Sequence, residues 1–579
     1  MKIKASGIET GQRHLNGPQT SGRDYRNLSQ PEYRMLREDS VKIPMRDGTV
    51  LLADISRPDA AGTFPALMAA APYPRQIQDL GAPAGVIEAG TGDFFVPRGY
   101  VHVIANLRGT VGSDGEWGFF DNQEREDLYD IVEWVARQPW SDSNVGMIGI
   151  SYYAMTQMEA ATQRPPHLKA IFPFDVTVEG WEAANHNGLF SAAFITPWIS
   201  TLGVLSRIKD ATFRHGIARV MRTVLGIPAV HRRFASVGGD NVIKILQLLS
   251  RFRHDKEPWT QLWRDMAVEH PFRDAWWDER DLRPLLGQID IPTYLGSEWP
   301  NVPLHLPGVF EAWDRMQNNP DVRMTILGEG GLPWPWESMH IEALAWFDHW
   351  LKGRETGILD GPAIRYWLPG AEVWKTSDVW PPKSEYLSYS LNPDGRLAER
   401  RVEGERQYLC VAPSGTRSKG DNPLAIDDSL TWTTEPLTSD LDMVGHVELE
   451  LVASATAADT AWIIALNDLA PDGSVHAVTQ GWLRASLREV DDAESSVGRP
   501  VIVGRTPIAV PIGEMVTYRI PVVPNARRFE AGHRIQLTVT SDDSGKKVMQ
   551  SFTHLPVGTS SLNTVSSASR LLLPRLDGE

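Results

Sequence analysis

The run Val145-Gly146-Met147-Ile148-Gly149-Ile150-Ser151-Tyr152-Tyr153-Ala154 sets a serine where a short apolar segment meets a helical one. A serine at a sharp strand-to-helix turn holds its hydroxyl above the sheet edge, beside the helix N-terminus. The backbone N–H that follows can then stabilise an oxyanion, so the chemistry on offer is acyl transfer to a serine. Small residues are required there because the strand and helix backbones nearly touch. The run departs from the usual Gly-x-Ser-x-Gly pattern at Tyr153. Gly-x-Ser alone also fits a structural serine at a turn. The strand before it and the helix after it, which stops ahead of Pro165-Pro166, favour the nucleophile. Gly238-Gly239 and Gly330-Gly331 lack the strand–GxxxxGK–helix setting of a phosphate loop, and neither HExxH nor His-x-His occurs. Hydrolysis without a metal or other cofactor is the simplest chemistry.

The elements that must position Ser151 can be read from periodicity. Val41–Pro58 reads as a hairpin turning at Asp47-Gly48. Pro65–Ala71, Val101–Ala105, Val145–Ile150, Ala170–Phe174, Ile291–Leu295 and Met324–Leu327 are candidate buried strands. Between the second and third, Leu128, Ile131, Val132 and Val135 mark one face of a helix over Glu124–Gln138. Strands alternating with helices predict a mainly parallel sheet covered on both faces. The alternation stops from Thr177 to about Ile289, where Val242–Phe252 and Trp259–Val268 read as helices. A helical insert between two strands of one sheet is a natural lid, or else extra packing. From about Tyr366 the pattern turns all-β: Val447–Leu451 and Ile535–Val539 alternate strictly, as in a sandwich or jelly roll.

Composition narrows the setting. A chain of 579 residues exceeds what one core usually serves, and 42% hydrophobic with 22% charged residues is ordinary for a folded protein. The net charge of −16 argues against nucleic-acid or anionic-membrane partners. Cys410 is the only cysteine, which excludes intramolecular disulfides and multi-cysteine metal sites. Met1–Pro31 is polar, and no run approaches the roughly 20 apolar residues of a membrane span. A cytoplasmic enzyme is expected, and whether it forms homo-oligomers is left open. Many of the 21 tryptophans fall between Trp181 and Trp380, where they either line an apolar pocket or fill a core.

Ordered motifs carry a resemblance. Asp47–Leu51, Pro72-Tyr73, Asn106–Gly115, Glu126–Asp130, Glu133-Trp134, Gln138–Ser141, Gly146–Tyr152 and Trp346–Gly353 resemble the cocaine esterase / X-Pro dipeptidyl-peptidase class of α/β-hydrolases, the CocE/NonD hydrolases. Leu466–Gly473 and Gly481–Ser486 are similar to that family's C-terminal jelly roll. The likeness covers residue 40 to the C-terminus. It implies an N-terminal arm (1–40), a split α/β-hydrolase domain (41–176 and 289–365), a helical cap (177–288) and a β jelly-roll domain (366–579).

The resemblance also implies a Ser-Asp-His triad. Ser151 takes the nucleophile's place, the Tyr152 N–H that of one oxyanion donor, and the Tyr73 phenol that of the second. A loop after the Pro65–Ala71 strand does face the same sheet edge as Ser151. The family's acid follows the strand after the cap, in a Gly-Trp-Tyr-Asp run. Here Gly296–Asn301 stands there, and Asn301 falls at the acid's position. Asparagine cannot compensate an imidazolium charge. Glu298 is the nearest acid, with Asp175, or no acid at all, as the alternative. The family histidine follows the last major strand in Gly-Pro-Trp-x-His; here Gly328–His340 departs from it, which makes His340 the default base and His305 the fallback.

The expectation is therefore a serine hydrolase that cleaves a carboxylic ester through an acyl-enzyme, on an apolar or aromatic small molecule. An X-Pro dipeptidyl-peptidase or acylase acting on amides is the alternative enzyme. A hydrolase fold that has lost turnover and only binds is the alternative from another class.

Overall fold

The computed structural model describes residues 2–3, 23–78, 88–206, 208–225, 227, 229, 259–328, 335–410, 428–543, 553–557 and 560–577, with the backbone alone at 2–3, 225 and 335–338. The helix read at Val242–Phe252 and the Gly238-Gly239 and Gly330-Gly331 pairs lie outside the described residues.

The first sheet comprises β1 (Lys2–Ile3), β2 (Met35–Pro44), β3 (Val50–Pro58), β4 (Phe64–Ala71), β5 (Val101–Asn106), β6 (Ser141–Ile150), β7 (Leu168–Phe174), β8 (Thr293–Glu298), β9 (Val322–Leu327), β10 (Ile364–Leu368) and β11 (Val373–Ser377). Their spatial order is β1-β2-β3-β5-β4-β6-β7-β8-β9-β10-β11. From β5 to β10 every neighbouring pair is parallel, and the flanking pairs are antiparallel. Parallel strands covered on both faces read as continuous apolar runs, and Pro65 to Ala71 of β4 are all buried. One face carries α1 (Asn122–Ala136), opened by the Asp121 carboxylate accepting the Glu124 N–H at 2.8 Å, and α2 (Tyr152–Thr162). The other face is covered by the C-terminal part of Pro335–Lys352, whose Phe347 and Leu351 stand against Gly146 and whose Trp346 indole donates to the Ile171 carbonyl at 3.1 Å.

Two boundaries differ from the sequence reading. Residues 1–40 are not simply an irregular arm: Met35 to Ser40 already belong to β2, and Ser29 docks on the Asp348 carboxylate through its N–H and hydroxyl at 2.6 and 2.7 Å. The β domain does not start at 366, because β10 and β11 extend the first sheet. The second sheet opens with the strand Ser384–Leu391. Alternation alone could not separate an edge strand of one sheet from the first strand of the next.

That second sheet is antiparallel at every pairing and closes on its own core, which includes Trp432, Leu449, Trp462 and Tyr518. Ile535, Leu537 and Val539 point inward while Gln536 and Thr538 are only partly covered, as the alternation predicts. The insert between β7 and β8 is helical where described: Gly180–Asn185, α3 (Ala192–Leu205), Ala218–Leu225 and Trp259–Arg264. After β8 comes α4 (Leu306–Arg315). Among the described residues no helix is long and apolar enough to cross a membrane.

Strand β6 and helix α2 lie close together at Gly149, where an added Cβ would stand 2.2 Å from the Cβ of Tyr153. Gly149→Ala is therefore expected to lower the thermal unfolding midpoint by about 1–3 °C, an overpacking cost of about 1–3 kcal/mol. Gly216→Ala, where a Cβ meets open space, should leave the midpoint unchanged in the same differential scan.

Candidate active site

Ser151 sits between β6 and α2 with φ 59° and ψ −123°, a left-handed conformation that aims its side chain out of the turn. Its N–H donates to the Phe174 carbonyl at 3.1 Å, and its own carbonyl accepts from Ala154 and Met155. Among the described residues from Val145 to Thr162, Ser151 alone is not buried. The departure from Gly-x-Ser-x-Gly is accommodated by Gly149, since the Tyr153 side chain fills the space that Gly149 leaves. Tyr152 is the first residue of α2, so its N–H has no carbonyl to meet within the helix and faces the turn. The Tyr152 phenol lies on the far side, donating to the buried Glu124 carboxyl at 2.9 Å.

Tyr73 follows β4 and reaches the same edge. Its backbone carbonyl accepts the Asn106 side-chain N–H at 2.6 Å, and its ring meets Tyr152 edge-on at 6.3 Å. The phenol oxygen accepts the Trp198 indole N–H at 3.0 Å and is hydrogen-bonded with Ser151. Burial and the Glu88 carboxyl push the phenol well above its usual range, so it remains a proton donor. Trp198, on α3, is a contact the sequence reading did not single out.

The imidazole beside Ser151 is that of His305, whose Nε2 lies 3.1 Å from Oγ. His305 caps the N-terminus of α4, at the end of a loop pinned at Trp299: the Trp299 indole donates to the Trp367 carbonyl at 2.7 Å, and the Asn525 side chain donates to the Trp299 carbonyl at 3.3 Å. Asn301 then closes a turn, its N–H bonded to the Glu298 carbonyl and its carbonyl to the Leu306 N–H, at 3.0 and 3.1 Å. His305 Nδ1 lies 3.0 Å from Thr177 Oγ1. Burial pushes this imidazole down to about 3, and the positive end of α4 acts in the same direction.

His340, the default base of the sequence reading, is elsewhere. It is buried, stacked on Phe94 at a centroid distance of 4.8 Å, with Nε2 3.2 Å from Thr91 Oγ1. The sequence frame counted forward from the last strand to the next histidine; packing of its helix on Gly92–Phe95 takes that histidine to another contact. Glu298 ends β8, and among the described residues its side chain makes no hydrogen bond with His305. Asp175 accepts the Ser297 hydroxyl at 2.7 Å and the Asn301 side chain. The hydroxyl on His305 Nδ1 belongs to Thr177, two residues beyond Asp175 on the loop after β7. The tryptophans are mostly core: Trp117, Trp198 and Trp259 are buried, with Trp117 and Trp259 4.8 Å apart.

Residues 47–331 match the X-Pro dipeptidyl-peptidase (S15) family, and residues 356–564 the X-Pro dipeptidyl-peptidase C-terminal non-catalytic domain. The chain is 26% identical over 561 residues to a cocaine esterase of Rhodococcus sp. (strain MB1 Bresler), covering 88% of this chain and 91% of that protein. Among solved structures, a CocE/NonD family hydrolase from Staphylococcus aureus superposes with a TM-score of 0.73 at 23% identity, covering 94% of each chain. An α-amino acid ester hydrolase superposes with a TM-score of 0.69 at 19% identity, covering 96% of this chain and 98% of the other. These structural likenesses establish the fold.

Around the serine turn the carboxyls Glu88, Asp175 and Glu298 are all pushed upward by burial, Glu88 and Glu298 also by the charge of Asp175. Glu298 rises from 4.5 to about 8. Between those values the folded chain keeps a proton that the unfolded chain has released. The contribution of Glu298 thus favours folding below about pH 4.5 and is lost as pH rises through about 8. Glu298→Gln should flatten that dependence: the fall in unfolding midpoint from pH 5 to pH 8.5 shrinks by a few degrees relative to wild type. An unchanged slope would show that Glu298 ionises normally.

Proposed function

The chain belongs to the CocE/NonD hydrolases, and we propose that it is a serine esterase in which Ser151 and His305 carry the chemistry. The observation that carries this reading is the 3.1 Å contact between Ser151 Oγ and His305 Nε2 at a strand-to-helix turn. In it, Nε2 takes the hydroxyl proton as Oγ attacks the ester carbonyl. The oxyanion that forms is held by the Tyr73 hydroxyl and the Tyr152 N–H, two donors on separate elements. The Trp198 N–H supports this role, since it occupies the phenol oxygen and leaves the phenol proton free to turn toward the reacting centre. His305 returns its proton to the departing alkoxide. Water then repeats the sequence on the acyl-enzyme, with Ser151 as leaving group.

An apolar acyl or alcohol group fits the partly buried Phe194, which stacks on Trp198 at 6.2 Å close to Tyr73. The reading also takes the protein as cytoplasmic, acting on a small molecule rather than on nucleic acid or membrane, in keeping with its charge of −16.

The test is intact mass after fluorophosphonate treatment, beside hydrolysis of p-nitrophenyl acetate and butyrate and of an X-Pro p-nitroanilide. Wild type should gain one adduct and cleave the esters faster than the anilide. Ser151→Ala and His305→Ala should lose about 10³-fold or more in kcat/KM, and Tyr73→Phe about 10²-fold. His340→Ala should stay within a few-fold of wild type. A loss confined to His340→Ala, with His305→Ala active, would overturn the assignment of the base.

The depressed imidazole also sets the pH profile. A base that stays neutral down to about pH 3 does not lose its lone pair near 6.5. kcat/KM should therefore hold between pH 8 and pH 5 wherever the protein stays folded. An acid limb near 6.5 would show that a charged partner reaches His305.

A further inference from the structure

Resting on the Ser151–His305 reading, we propose that the Thr177 hydroxyl is the positioning residue for His305, in the place where a carboxylate orients the histidine of a serine triad.

The hydrogen-bond polarity can be worked out from three oxygens and two nitrogens. Thr177 Oγ1 lies 3.1 Å from the Leu304 carbonyl and 3.0 Å from His305 Nδ1. A carbonyl only accepts and a hydroxyl has one proton, so Thr177 gives that proton to Leu304. The lone pairs left on Oγ1 then face Nδ1, which must carry the imidazole proton. Nε2 is consequently the bare nitrogen, and it is the one that meets Ser151 Oγ. One buried hydroxyl thus selects the tautomer that can accept a proton. It also ties the ring to its own backbone, because Leu304 directly precedes His305.

Among the described residues, no carboxylate is hydrogen-bonded to the imidazole. Asp175 is held by Ser297 and Asn301, and Glu298 makes no bond with the imidazole. A hydroxyl aligns the ring as a carboxylate does, but it supplies no negative charge to stabilise the imidazolium formed during attack. The arrangement therefore keeps the base neutral over a wide acid range, at the expense of rate at neutral pH.

The experiment measures kcat, KM and the acid limb with p-nitrophenyl butyrate, together with the fluorophosphonate labelling rate, for wild type, Thr177→Val, Thr177→Ser, Thr177→Asp and Asp175→Asn. Labelling of wild type but not of Ser151→Ala establishes the parent reading independently. A wild type that does not label fails that reading instead. Thr177→Val, similar in shape but without an acceptor, should lower kcat by roughly 10²-fold with KM within twofold. Thr177→Ser should restore most of it. Thr177→Asp should move the acid limb up by one pH unit or more, since a carboxylate against Nδ1 favours the imidazolium. Asp175→Asn should keep kcat within a few-fold and leave the limb in place. Thr177→Val retaining kcat within twofold, an unmoved limb in Thr177→Asp, or a hundredfold loss in Asp175→Asn would each overturn the proposal. If Thr177→Val does not fold, the Ser and Asp variants decide it.

Discussion

A serine hydroxyl and an imidazole can stay 3.1 Å apart only if the segments carrying them are rigid, and in this chain those segments are 154 residues apart in sequence. The serine side is fixed by covalent geometry, because Gly149 lets α2 lie directly on β6 and leaves Ser151 at the apex with its N–H tied to the end of β7. The histidine side is fixed by long-range packing. The loop after β8 is anchored at Trp299 by the Trp367 carbonyl of β10 and by Asn525 of the β domain. The second domain, though among the described residues it makes no hydrogen bond with Ser151, is thus part of what holds His305. The cap contributes in the same manner through Trp198, which reaches down from α3 to the Tyr73 phenol.

Electrostatically, burial around the serine turn disfavours the charged form of each titratable group there. Burial disfavours the imidazolium of His305, the phenolate of Tyr73 and the carboxylates of Glu88, Asp175 and Glu298 alike. Glu124, which anchors the Tyr152 phenol, is shifted in the same direction. Charge therefore appears at the reacting atoms only during turnover. On the proposed reading, the Tyr73 hydroxyl and the Tyr152 N–H would meet that charge in a buried setting, where a hydrogen bond is worth more than in water.

Much of this was legible in the sequence because the central strands must be apolar throughout. β4 to β9 were read from hydrophobic runs, and the turn at Ser151 from a glycine and a serine between a strand and a helix. What could not be read is which side chains converge across loops. His305 stood only as a fallback, since its nearness to Ser151 depends on the turn at Asn301 and on the direction in which α4 leaves it. Thr177 carried no local signal at all: a lone threonine after a strand is ordinary until a histidine is folded against it. The tryptophans misled in another way, since a wall of Trp117, Trp198 and Trp259 reads equally as a pocket lining or as the packing between cap and sheet. Burial decides for packing, with the Trp198 indole N–H as the part that serves the site.

The asparagine at 301 follows from the same electrostatics. Its side chain donates to Asp175, a buried carboxyl that already lies within reach of Glu88 and Glu298. A carboxylate at 301 would add a fourth acid to that cluster, turning a hydrogen bond into like-charge repulsion in a medium that screens it poorly. With His305 on the same loop and Asp175 buried beside it, residue 301 serves better as a donor. The imidazole then needs an acceptor that is neutral, buried and rigidly placed, and the hydroxyl of Thr177 meets all three conditions.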